Sequence, residues 1–411
     1  MAIVVQSQPE AHGLAHNDNP YVFFSTSYTP TQRFKVAILP SDWPTSPELS
    51  IARVYPRVGV TTGGSIQLNK AFYDPSRVLQ NQIASQVAIP SSNHSGVFDA
   101  SNIHTEYVLL IVEEDLVGGV YVNGSSWFST LKSVWNGVSN KLDWLTFDSD
   151  DYDMNAGNSL KGYLSKAPLT QYINTGQSAF LYYLSSDNNV TKCNVASYDA
   201  NGVSLQTGYF EISTTNKYAY VAVGTKDLTT SSASIWTGAT PSNIIDGASY
   251  YDVTLEGTAL QKTVRYYIDA KCSKYEPIRL HWLNSLGGID SFNFNAKSTE
   301  DTRIKRATYS QDEHTFTGTK WEYGKESRGT TDYHITTQDK LTVNTDYLTE
   351  EQSELMKDLF SSPIIFQELN GSLIAMSGKP KKISKQTSLN DKLMQYTFEM
   401  DYALTNNRQR G

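Results

Sequence analysis

The stretch Tyr275–Phe294, YEPIRLHWLNSLGGIDSFNF, decides between a catalytic loop and a tight hairpin. Read with a period of two, Ile278, Leu280 and Trp282 fall on one face of a strand, and Arg279, His281 and Leu283 on the other. NSLGG supplies a turn, because glycine takes positive φ without a Cβ clash. IDSFNF then returns, with Ile289, Ser291 and Asn293 opposite Asp290, Phe292 and Phe294. On this reading His281 and Asp290 can meet across the hairpin. A serine nucleophile would need an oxyanion hole as well as a base, and no GxSxG elbow occurs in the chain. The stretch reads as a structural hairpin, and no catalytic residue is assigned.

The rest of the sequence agrees with a large β protein. The chain has 411 residues, enough for several domains and more than one core. Charged residues make up 18%, below the usual quarter, and there are 26 tyrosines. Tyr, Phe, Thr and Val suit pleated, half-buried surfaces. A net charge of −8 argues against a general nucleic-acid binder, which needs a basic face to displace counterions. The start, MAIVVQSQPEAHG, lacks the basic region of a secretion signal. The apolar run EYVLLIVEEDLVGGVYV is broken by acids, so no membrane span is expected.

Local patterns divide the chain. Residues 1–20 read as an irregular N-terminal arm, 21–104 as a β domain, and 105–262 as a β-sandwich-like middle domain. Residues 263–411 read as a C-terminal β domain with a tail, and the first and third domains can pack as one unit. The fold class is mainly β, sandwich- or barrel-like, with one short helix at about 349–361. In that helix Thr349 and Gln352 form a capping box, and Leu355, Met356, Leu359 and Phe360 make an apolar stripe. A helical turn or two is also readable at DPSRVLQNQIA, with Pro75 in the first helical position. Asn123-Gly124 and Asn370-Gly371 signal two-residue hairpin turns. In the last strand Met394, Tyr396, Phe398, Met400 and Tyr402 share one face.

Other chemical signals are weaker than their structural readings. His12 and His16 have a helical metal spacing, but Gly13 and the polar surroundings disfavour a helix, and no HExxH pair occurs. Asp148, Asp150, Asp151 and Asp153 have the oxygen ligands of a calcium loop without its glycine and terminal glutamate. GVTTGGS lacks the GK[ST] of a phosphate loop. The basic run Lys379–Lys385 reads as an edge that discourages strand pairing. Cys193 and Cys272 match no metal or redox spacing and read as buried thiols. Trp127, Trp135, Trp144, Tyr182 and Tyr183 can stack on sugars if exposed, or fill a sandwich core. No cofactor or metal is expected.

Three segments carry a family resemblance. CSKYEPIRLHWLNSLGGIDSFNF is similar to a segment of bacteriophage tail-associated structural proteins, especially those of Bacteroidota, through Cys272, Tyr275, Trp282, Leu283, Asn284, Gly287, Gly288, Phe292 and Phe294. The close of the chain resembles distal-tail or hub-like components, with Ala403, Asn406, Asn407, Gln409 and Arg410 in the matching places. The opening resembles their start at Asn19 and Pro20, and the likeness covers residues 17–110 and 265–411. It implies a non-enzymatic virion protein, made in the host cytoplasm, whose copies form a ring in the tail or baseplate beside other tail proteins. Its termini are then the expected subunit contacts. A portal-proximal ring or tail adaptor, and a host-glycan or receptor-binding β module, are the alternative readings.

Overall fold

The computed structural model describes residues 2–27, 29–57, 69–83, 96–100, 103–144, 146–154, 161–186, 190–212, 217–229, 236–237, 244–256, 261–269, 274–326, 328–379 and 394–407. The protein is mainly β, arranged as several sheets around separate cores, and the described strands close no barrel. No described helix is long and apolar enough to cross a membrane.

The first core lies between two sheets. One has the strand order Ile3–Ser7, Tyr21–Ser25, Ala71–Tyr73. The other runs His12–Leu14, Lys132–Trp135, His104–Val117, Arg33–Pro40, Ser50–Val54, with Val120–Phe128 also paired to His104–Val117. Phe23, Phe34, Val36, Ile38, Leu109 and Ile111 alternate inward and meet between them. This corrects the irregular arm at 1–20. Ile3–Ser7 pairs with Tyr21–Ser25, and His12–Leu14 lies parallel to Lys132–Trp135. The apolar run at the start of the chain is too short to outweigh its polar surroundings, and the partner of His12–Leu14 is remote in sequence.

The middle of the chain forms a six-stranded sheet: Thr170–Ile173, Gln261–Ile268, Tyr250–Glu256, Lys192–Tyr198, Ser204–Glu211, Trp236–Thr237. Facing it is a three-stranded sheet, Phe180–Leu184, Tyr218–Ala222, Gly96–Asp99. All five residues of Phe180–Leu184 and of Tyr218–Ala222 are buried. The reason is that both faces of this small sheet are covered. Leu181, Tyr183, Ala219 and Val221 pack on the six-stranded sheet, while Phe180, Tyr182, Tyr218 and Tyr220 pack toward Trp135, Leu283 and Ile289. A strand buried on both sides reads as a continuous apolar run rather than an alternating one. Gly96–Asp99 precedes residue 104 yet completes this sheet, so the pairing crosses that boundary.

The C-terminal sheet runs Ile289–Phe294, Ile278–Leu283, Ile365–Leu369, Ser372–Gly378, Thr397–Tyr402, Thr330–Asn344, Thr299–Ser310, with Asn406–Asn407 added beside Thr330–Asn344. The helix Glu350–Ser361 covers one face of it. Thr349 and Gln352 form the expected capping box, which is worth about 1 kcal/mol. Leu355, Met356 and Leu359 are buried, and Phe360 stacks on Phe398 at 3.9 Å. Three shorter helices, Ser76–Gln82, Lys141–Trp144 and Thr225–Thr229, lie among the described residues.

The two Asn-Gly signals have different outcomes. Asn370 and Gly371 have φ of 49° and 74° and do turn the hairpin of Ile365–Leu369 with Ser372–Gly378. Asn123-Gly124 does not turn. It lies inside Val120–Phe128, beside a register shift between Val112 and Glu114. The reversal falls at Gly118-Gly119, where φ is 60° and 86°. That glycine pair meets the positive-φ demand of a tight turn first, leaving Asn-Gly to a bulge.

Candidate functional site

The hairpin of Ile278–Leu283 with Ile289–Phe294 forms as expected, but its register keeps His281 and Asp290 apart. Leu283 pairs with Ile289, so His281 lies opposite Ser291 and Asp290 opposite Trp282. Successive residues point to opposite faces, which puts His281 and Asp290 on different sides of the sheet.

The turn Asn284–Gly288 is where the three parts of the molecule meet. Trp135 Nε1 donates to Leu286 O at 2.9 Å, and Val138 N to Ser285 O at 2.7 Å. Asn284 Nδ2 donates to Leu164 O at 2.9 Å, while Asn284 Oδ1 accepts from the Leu286 and Gly288 amides. Ser285 Oγ donates to Asp358 of the helix at 2.8 Å. A Cβ on Gly287 would lie 2.4 Å from Asn136 O, and one on Gly288 2.5 Å from Leu164 O. Both glycines are therefore needed for close backbone approach.

Behind the turn lies a buried polar seam. Glu368 accepts from the Ser178 amide with both oxygens, at 3.1 Å each. Arg279 Nε donates to Ser178 O at 2.8 Å, and Arg279 Nη1 to Asn293 Oδ1 at 2.9 Å. Asn293 Nδ2 donates on to Gln177 Oε1 at 2.8 Å. Burial raises the Glu368 carboxyl, but His281, Arg279 and the Ser178 amide outweigh it and hold it below its ordinary value. The seam ties the hairpin and Ile365–Leu369 to the loop before Phe180–Leu184.

His281 completes a relay that the sequence does not reveal. Its Nε2 lies 3.1 Å from Glu368 Oε2, and its Nδ1 2.8 Å from Ser291 Oγ. Burial lowers the imidazole's pKa against the pull of Glu368. The neutral ring assigned from this network donates from Nε2 and accepts the Ser291 proton at Nδ1. That is the order of hydroxyl, base and orienting carboxylate found in acyl-transfer sites. The space beside Ser291 is a cavity of about 30 Å³. That is about the space of one water, and the cavity shares Pro168, Thr170 and Gln171 with a neighbouring cleft of about 740 Å³. We expect Ser291 to stay unlabelled by a fluorophosphonate probe in the folded protein, as judged by intact mass; stoichiometric labelling would identify a working nucleophile.

The remaining sequence signals resolve individually. His12 Nδ1 pairs with Ser133 Oγ at 2.6 Å, and His16 Nε2 with Asn136 Oδ1 at 3.1 Å. Asp148 caps a single 3₁₀ turn, Asp151 faces Lys161, and the buried Asp153 accepts from the Ser186 amide. Among the described residues no group of three or more His, Cys, Asp or Glu side chains is placed to hold a metal. Lys379 pairs with Asp401. Residues 380–385, Cys272 and GVTTGGS lie outside the described residues. Cys193 is a buried free thiol, its pKa pushed up by burial. Trp135, Tyr182 and Tyr183 are core residues, and Trp127 and Trp144 pack half-buried against cores.

A cluster of exposed aromatics lies elsewhere, on a ribbon. Thr299–Ser310 pairs with Thr330–Asn344 from Thr299↔Thr342 to Ser310↔Thr330. At about 3.3 Å per residue the outer strand is roughly 40 Å long, and eleven of its twelve residues are exposed. Beyond it, His314–Phe316 pairs with Trp321–Tyr323. The register puts His314 opposite Tyr323 and Phe316 opposite Trp321, all four on one face. Phe316, Trp321 and Tyr323 are 56%, 68% and 70% exposed. A sequence signal for this exposure is present: TEDTRIKRATYS has no apolar face to bury. No protein-family model matches the chain, and no curated protein matches it in sequence.

Proposed function

We propose that this protein is a structural subunit of a bacteriophage virion, a member of an oligomeric ring in the tail or baseplate, acting by assembly rather than catalysis. The observation that carries the assembly reading is the ribbon 299–344. From Arg306 to Ile335 no third strand pairs with it among the described residues, and most of its residues are exposed. A two-stranded ribbon of this kind is marginally stable alone, and this one ends in an exposed aromatic face. Both features are what a neighbouring copy would cover. Head-to-tail contacts of this kind close into a ring by rotation. The phage assignment rests on the resemblance of 272–294 and of the chain's two ends to tail proteins. Among the described residues the cavity lined by Ser291 itself is only water-sized, which favours assembly over hydrolysis.

Sedimentation of the full chain, with negative-stain imaging, tests this. The intact protein is expected to form closed rings at micromolar concentration. Replacing residues 303–338 by a short turn is expected to leave a folded monomer. An intact protein that stays monomeric, or rings that survive loss of the ribbon, would sink the reading.

A further inference from the structure

The outer face of the six-stranded middle sheet holds a shaped trough away from the ribbon. Strand registers place its side chains in rows across the sheet. Tyr209, Asn194, Thr254 and Thr263 form one row. Thr207, Ala196, Asp252 and Arg265 form the next, and Tyr198, Tyr250, Tyr267 and Tyr172 the third. Ala196 is the small residue between larger neighbours, so the surface dips there. The dip has a volume of about 510 Å³, within the usual range for small-ligand sites.

Its walls are held in place without a ligand. Tyr198 stacks on Tyr250 at 4.9 Å and 13°. Tyr209 lies under the Lys192 ammonium, 4.6 Å from the ring centroid. Thr254 and Thr263 share a hydroxyl hydrogen bond of 2.8 Å. The carboxylate of the floor, Asp252, is bound by two Arg265 nitrogens at 2.7 and 2.8 Å, and that guanidinium lies over Tyr250 at 4.5 Å. The trough thus presents aromatic rings, hydroxyls, an amide and an already neutralised carboxylate.

This chemistry selects a ligand class. An anion would find the Arg265 cation already committed to Asp252 and the Lys192 ammonium drawn over the Tyr209 ring. An apolar ligand would find the faces of Tyr198 and Tyr209 but would leave Asn194, Thr207, Thr254 and Thr263 around them unmatched. A peptide strand binds through main-chain groups at a sheet edge, whereas Lys192–Tyr198 and Tyr250–Glu256 are interior strands paired on both sides. A sugar ring has apolar C–H faces for tyrosine and a rim of hydroxyls for amide, hydroxyl and carboxylate groups.

We infer that the trough around Ala196, between Tyr198 and Tyr209, is a binding site for a neutral oligosaccharide. The site is independent of the ribbon, so each can fail without the other. Isothermal titration of the full chain with soluble hexasaccharides of glucose, mannose, galactose and N-acetylglucosamine tests it. At least one is expected to bind with a dissociation constant between about 1 μM and about 1 mM. Ala196→Trp, which fills the dip, is expected to abolish binding. Tyr209→Ala is expected to weaken it about tenfold or more while leaving thermal unfolding within a few degrees. The second variant decides the matter if the first misfolds. No binding tighter than about 10 mM from any of the four sugars overturns the proposal. So does binding that both variants leave unchanged. If Ala196→Trp instead alters the sedimentation of the assembly and no sugar binds, the trough is a contact between copies and the proposal is wrong.

Discussion

Gly287→Ala is expected to destabilise the protein by about 4 kcal/mol or more, among the largest effects of any single methyl group. Two costs combine. Gly287 has φ of 82°, in the left-handed region, which costs a residue with a Cβ about 1–2 kcal/mol. The new methyl would also sit 2.4 Å from Asn136 O, a backbone atom with no rotamer to escape into. To relieve that overlap the turn must withdraw from the end of Lys132–Trp135. It then loses the Trp135–Leu286 and Val138–Ser285 hydrogen bonds, at about 1 kcal/mol each. Gly176→Ala is the internal control. Gly176 has φ of 80°, and a Cβ there would meet nothing within 4 Å, so only the conformational cost of about 1–2 kcal/mol applies. Urea unfolding of both variants measures the difference. Equal losses for the two would mean that the turn does not join the parts of the molecule.

The second large effect concerns pH. Asp290 is buried at the base of the same hairpin, where Oδ1 accepts from the Ser165 hydroxyl. Burial pushes its pKa from 3.8 up to about 7, against the opposing hydrogen bonds from Ser165 and Asn284. Below pH 3.8 the folded and unfolded states both hold the proton, and the full stability is present. Between 3.8 and about 7 the unfolded chain releases a proton that the folded protein keeps, so stability falls as pH rises. Above about 7 the deficit is constant, at most about 4 kcal/mol for a shift of about three units. Asp290→Asn removes the titration. The stability of this variant relative to the original protein is expected to climb between pH 4 and pH 7, then level off, whatever its value at pH 4. Comparing the two proteins cancels the opposing contribution of His281, whose lowered pKa costs stability as pH falls below 6.5. A difference that stays flat across this range would show that Asp290 is solvated or paired with a cation in the folded state.

Sequence carries the local parts of this fold and misses the remote ones. The faces of the 278–294 hairpin, the capping box at Thr349 and Gln352, and the turn at Asn370-Gly371 rest on near neighbours, and each forms. His281 and Asp290, which could meet on sequence alone, stay apart because the loop closes between Leu283 and Ile289, and one residue of register moves a side chain to the other face. The relay of Ser291, His281 and Glu368 draws its third member from another strand, so spacing cannot show it. Tyr182, Tyr183 and Trp135 are readable as surface aromatics because nothing local says that the three-stranded sheet is covered twice. The ribbon's exposure is legible in TEDTRIKRATYS, which has no apolar face to bury.

The joint at Asn284–Gly288 also has a consequence for biosynthesis. The socket it fills, around Trp135 and Asn136, leaves the ribosome well before its plug. At about 5–20 residues per second the plug follows roughly eight to thirty seconds later. During that interval Phe180, Tyr182 and Tyr220 emerge with no cover on one side. Slow codons upstream of the hairpin are therefore expected to raise aggregation rather than aid folding, as the soluble yield of recoded genes would measure.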